Sequence, residues 1–167
     1  MKAFLLSVHV LAAIVLIGPI TAAASVFPRY ARVAAGARSY PAADPAADPA
    51  AAAALPVAAA MHRISRGYAV PAVAVPVFGI GTATAMGVLG DAWLIASMVL
   101  TAAAALLLVG RINPVQRRVL DGLRSGTTPG AVLSDVRRLG MVTGVFALLW
   151  AIVVVLMIVR PGSTTGV

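Results

Sequence analysis

The chain has no cysteine and no glutamate; its five acidic residues are all aspartate. The first absence excludes disulfides, thiolate metal sites and cysteine nucleophiles. The second matters because none of the aspartates falls within a long apolar run. That excludes paired carboxylates for acid–base work and carboxylate proton relays inside a membrane. Charge of either sign is scarce, at 11% of 167 residues, where a soluble domain carries roughly a quarter. Phosphate cradles are missing too: Gly79-x-Gly81 and Gly87-x-x-Gly90 read as packing glycines. What fills the space is apolar, 61% of residues with a mean hydropathy of +1.00, which places the chain among integral membrane proteins.

The stretch Ala3–Phe27 has 25 residues and no charge. As a helix it reaches roughly 37 Å, enough to cross a hydrocarbon layer of about 30 Å with some tilt. It outruns the core of a usual signal peptide, so a retained membrane helix is expected rather than a cleaved leader. Three further runs give spans near 69–89, 92–110 and 139–159. The predicted fold class is therefore all-α, a polytopic four-transmembrane-helix antiparallel bundle forming one membrane domain over residues 1–167. Gly18-Pro19 predicts a kink in the first span, since Pro19 lacks an amide proton and crowds the carbonyl four residues earlier. Pro71 and Pro76 predict a bent start to the second. Gly90-Asp91 leaves only a tight turn between spans two and three.

Between the spans the composition changes. The low-complexity piece 41–56, with its repeated Ala-Ala-Asp-Pro, reads as a flexible Ala/Pro/Asp loop. Leu55–Gly67 reads as a short helix on the membrane surface, as does Pro114–Leu123, where Val115, Val119 and Leu123 stand four apart. Thr128-Pro129 has the form of an N-cap and first helical residue. The loops joining spans one to two and three to four hold eleven of the thirteen basic residues. The positive-inside tendency puts both in the cytoplasm and both termini outside. The net charge of +8 is then explained by topology and by anionic lipid headgroups at the basic loops, with no need of nucleic acid.

Few polar groups lie in the apolar runs. His9 sits about two turns into the first span, where a histidine either hydrogen-bonds across the bundle or serves as a ligand or proton carrier. His62 lies beside Arg63 and reads as solvated or headgroup-facing. The two histidines start on opposite sides of the bilayer, too far apart to flank one haem iron. Counting depth from the span ends places Thr84 and Ser97 near the level of His9, with Met86, Met98 and Met157 in the same layer. Thioethers with an imidazole suit copper(I), so His9, Met86, Met98 and Met157 form a candidate metal set; the plainer reading makes the methionines packing residues. Gly140-x-x-x-Gly144 reads as helix packing within the bundle rather than as a dimer motif.

The opening LLSVHVLAAIVLIG resembles the start of small bacterial membrane proteins such as the CopD copper-resistance family and HemJ-type proteins. The closing ALLWAIVVVLMIVRPG resembles the end of predicted integral membrane proteins of domain-of-unknown-function family 2269. The resemblance rests on hydrophobic texture with His9, Gly18 and Met157-x-x-Arg160-Pro161. Leu16-Ile17 stand where a tryptophan is frequent in that group, and the Ala/Pro/Asp loop looks like an insertion. The resemblance implies a four-helix protein of the bacterial plasma membrane without assigned activity, and for the distant relatives it hints at haem or copper at His9. The function expected is that of a small accessory or interaction subunit, with a membrane-protein partner or a homodimer and no cofactor. The alternative is a haem b- or copper-linked redox or transport protein using His9. An enzyme is the least supported reading, for want of acid–base residues inside.

Overall fold

The computed structural model describes residues 1–39 and 49–162 of the chain. Among these every regular element is helical: α1 (Lys2–Ala12), α2 (Gly18–Ser39), α3 (Pro49–Ala69), α4 (Ala74–Met86), α5 (Ala92–Leu107), α6 (Asn113–Ser125) and α7 (Pro129–Val159). Three continuous helices, Lys2–Gly36, Ala92–Ser125 and Pro129–Val159, are long and apolar enough to cross a membrane. A fourth crossing results if Ala52–Ala69 and Pro71–Met86, bent by 40° at their junction, count as one.

Proline governs where the helices depart from regularity. A π-helical turn, Ala13–Ile17, precedes Pro19, and a second, Leu108–Ile112, precedes Pro114. In each case the proline has no N–H for the carbonyl four residues back, and the wider turn relieves the ring's crowding there. Pro71 opens the short 3-10 turn Pro71–Val73 between α3 and α4. The expected kink near Gly18-Pro19 thus takes the form of a π turn one step earlier, and helix continues through Pro28 to Ser39.

Three expectations for the connecting segments are corrected. Helix α3 starts at Pro49, not Leu55, so the later half of the expected loop is helical; residues 41–48 lie outside the described part. An alanine run has the highest intrinsic helix propensity, and Pro49 sits at the start of the helix, where its missing N–H costs nothing. Pro114–Leu123 is not a separate surface helix. It belongs to α6, which continues from α5 and packs on α3 and α7. Pro56 and Pro28 lie inside helices and do not end them.

The contacts pair α2 with α3 and with α7, α5 with α7, and α1 with α4. The well-filled core belongs to the arginine-bearing half. Phe27, Ala31, Ala54, Ala58, Ile112, Val136 and Leu139 are buried there in one cluster reaching Ile20 and Phe146. Alanines on α2 and α3 let those two backbones approach closely. Towards the other end only a small cluster forms, Ala83, Trp93 and Leu94, with Val88 and Met157 against it. The turn at that end is set by Gly87, whose φ of 78° ends α4. The Val88 N–H donates to Ala83 (3.1 Å) and the Gly87 N–H to Thr84 (3.2 Å), as in a Schellman cap. At the opposite end Thr128 and Pro129 open α7 in the capping and first positions, as their sequence order predicts.

Candidate functional site

His9 is buried on α1 and its Nδ1–H donates to the carbonyl of Val75 on α4 at 2.9 Å. A carbonyl can only accept, so Nδ1 carries the proton and Nε2 the lone pair. The ring rests over Gly79. The hydrogen bond crosses between helices, as one of the two readings of His9 expects. Among the described residues Nε2 has no hydrogen-bond partner.

The layer expected around His9 is not assembled. Thr84 is five residues beyond Gly79, about 7.5 Å along the helix. It is exposed, and its hydroxyl donates to Ile80 at 2.8 Å. Ser97 is buried and donates to Trp93 at 2.8 Å, within its own helix. Met86 is seven residues from Gly79, about 10 Å of helix, farther than two ligands of one ion stand. Met98 is exposed on α5, and Met157 packs on the cluster of Ala83, Trp93 and Leu94. The depth count fails because α4 ends at Met86, three residues before the expected span end, which moves Thr84 and Met86 outward of His9. Among the described residues no group of three or more His, Cys, Asp or Glu is placed to hold a metal ion.

His62 is the second correction. Instead of facing solvent it lies half-buried on α3, and its Nδ1–H donates to Oε1 of Gln116 on α6 at 3.0 Å. One turn on, the hydroxyl of Ser65 donates to Oδ1 of Asn113 at 2.9 Å. Ser65 and Gln116 are both 0% exposed. Two helices are thus tied by two side-chain bonds, in a layer that no motif marks. The signal was weak: His62 and Ser65 are three apart, as are Asn113 and Gln116, each pair on one helical face. The π turn before Asn113 turns that face of α6, since each added residue rotates the downstream helix by about 100°.

Both bonds consume an amide oxygen and leave an amide NH2 unused. Gln116 Nε2 is buried with no partner, and among the described residues the same holds for Thr143 Oγ1 and Trp150 Nε1 on α7. Some 13 residues separate His62 from Val75, about 20 Å of helix, so His9 and His62 do not share a cofactor.

At the opposite end Trp93 Nε1–H donates to Asp91 at 2.9 Å, and the Arg160 guanidinium lies 5.7 Å above the indole ring. This anchors the end of α7 to the start of α5. Gly140 faces α2, where an added Cβ would lie 3.7 Å from Arg32, while Gly144 meets nothing within 4 Å. No protein-family model, curated protein or solved structure matches this chain.

Proposed function

We propose that the chain is a four-span protein of the bacterial plasma membrane, acting as a small accessory or interaction subunit. The bent pair α3–α4 supplies the fourth crossing, the arginine-rich half faces the cytoplasm and both termini lie outside. The observation that carries this reading is the outward display of large apolar side chains. Phe4, Leu11, Ile14, Leu106, Leu148 and Ile158 are each 60% or more exposed. In the most apolar window of Lys2–Gly36 only 11% is buried. Water does not tolerate such a surface, whereas lipid or another membrane helix covers it without cost.

The absence of cysteine makes the test direct. Single cysteines at Ser125, Gly90 and Gly162, probed with a membrane-impermeant thiol reagent in intact and in opened cells, report each side. Gly90 and Gly162 should label from outside and Ser125 only after opening. Labelling of Ser125 and Gly90 from the same side would end the four-span reading.

A second reading, the haem- or copper-linked one, is favoured by one feature of His9. A ring whose Nδ1–H is held by a backbone carbonyl presents Nε2 in a fixed direction, the arrangement common to metal-ligating histidines. Purification in mild detergent, followed by an absorption spectrum and metal analysis, decides it. A Soret band or stoichiometric copper that disappears in His9→Ala supports this reading; colourless, metal-free protein that co-purifies with a membrane partner supports the first.

A further inference from the structure

The seam between α3 and α6 holds more donors than acceptors. His62 and Ser65 donate to the amide oxygens of Gln116 and Asn113. The amide nitrogens of both residues then carry N–H groups with no acceptor among the described residues. For Gln116 that nitrogen is fully buried, and an unpaired buried donor costs roughly 1–3 kcal/mol. Half-buried His62 and Asn113 form the mouth of the seam, and Ser65 with Gln116 its floor.

The surroundings are cationic. Arg63 and Arg66 follow His62 and Ser65 by one position each and are exposed, as is Arg111 ahead of Asn113. The nearest carboxylate in sequence on α6, Asp121, is engaged by Arg117 at 3.8 Å and Arg124 at 3.9 Å. Beside the seam an open groove runs along α3 from Arg63 past Ile64, Gly67 and Tyr68 to Pro71. It leads from the arginine end towards the apolar half and is lined mainly by carbon.

We propose that this seam binds a phosphate group, held by the amide N–H groups of Asn113 and Gln116 with Arg63 and Arg66 at its rim. Phosphate is acceptor-only, which suits a site whose unused groups are donors. In an anionic lipid the acyl chain would lie in the groove leading to Pro71. The lipid source rests on the membrane reading above; binding of free phosphate does not.

The decisive variants are Gln116→Glu and Asn113→Asp. Each keeps the oxygen that accepts from His62 or Ser65, so the interhelical bonds persist, and each replaces the N–H donors by negative charge. Full-length protein in neutral detergent is titrated with phosphatidylglycerol, phosphatidylcholine and inorganic phosphate, and bound ligand is read by native mass spectrometry. Phosphatidylglycerol should bind, and either variant should weaken it about tenfold or more. Arg124→Gln, outside the seam, should leave it within about twofold. Competition by inorganic phosphate identifies the phosphate group itself as the ligand; retention of phosphatidylglycerol alone identifies the lipid as its source. Equal binding in wild type and Gln116→Glu, equal loss in Arg124→Gln, or no binding of either ligand overturns the proposal. Gln116→Leu serves as a second variant should the acidic ones fail to fold. Loss of the four-span topology in the cysteine labelling would remove the lipid arm while leaving the phosphate titration to stand or fall separately.

Discussion

The imidazole of His9 occupies the space that Gly79 leaves by having no side chain: a Cβ there would lie 2.9 Å from Cε1 and 3.3 Å from Nδ1 of the ring. The glycine and the histidine therefore act as a pair that sets how closely α1 approaches α4. Gly79→Ala must push the ring off the Val75 carbonyl, at about 1–3 kcal/mol for overpacking. His9→Ala alone loses a hydrogen bond worth about 1 kcal/mol. The double variant should be more stable than the sum of the two predicts, with a coupling of roughly 0.5–3 kcal/mol. Thermal unfolding in detergent checks it, and strict additivity would show that the ring and the glycine are independent.

Gly87 and Gly90 look alike in the sequence and differ in the fold. Gly87 has φ 78°, whereas Gly90 has an ordinary backbone and nothing within 4 Å of an added Cβ. Gly87→Ala should destabilise by roughly 1–2 kcal/mol, the penalty of a Cβ in left-handed backbone. Gly90→Ala should be close to neutral. Comparable losses from both would mean that the turn is built differently.

The long apolar helices, the Gly87–Asp91 turn and the Thr128-Pro129 start were legible because each depends on local chemistry alone. Helix α3 was not. Pro49 and Pro56 with repeated alanine read as a linker, yet Ala54 and Ala58, four apart, bury completely in the cluster that holds Ala31 and Ala35 of α2. That packing depends on a partner helix the local sequence does not name. The pairing of His62 with Gln116 was hidden for the same reason, since 54 residues separate them and the register depends on the π turn before Asn113. Depth counted from span ends misplaced Thr84 and Met86 by the three residues that Gly87 removes from α4.

Arg160 serves α7 in two ways that substitutions can separate. Its backbone is left-handed (φ 46°), its Nε donates to Met157 at 3.3 Å, and its guanidinium covers Trp93. Arg160→Gly suits the backbone and removes the cation; Arg160→Ala removes the cation and retains the strain. The cation–π contact contributes about 0.5–1 kcal/mol at an accessible site, so both variants lose stability, with the alanine variant lower by roughly 1 kcal/mol. Tryptophan emission should shift in both. If the alanine variant were the more stable, backbone strain at this position would not be a factor.

Two buried threonines give opposite expectations for the same substitution. The hydroxyl of Thr82 donates to Phe78 at 2.7 Å, whereas Thr143 Oγ1 is buried with no partner among the described residues. Burying a hydroxyl without a hydrogen bond carries a desolvation cost, and removing such a group in favour of an apolar one of the same shape is neutral or stabilising. Thr143→Val, against Val136, Leu139 and Phe146 on the same helix, should therefore leave the midpoint of thermal unfolding unchanged or raise it. Thr82→Val removes a satisfied donor and should lower it, by about 1 kcal/mol. The contrast does not depend on the size of either effect, only on their order. A Thr143→Val protein less stable than Thr82→Val would show that the Thr143 hydroxyl is bonded within the bundle after all.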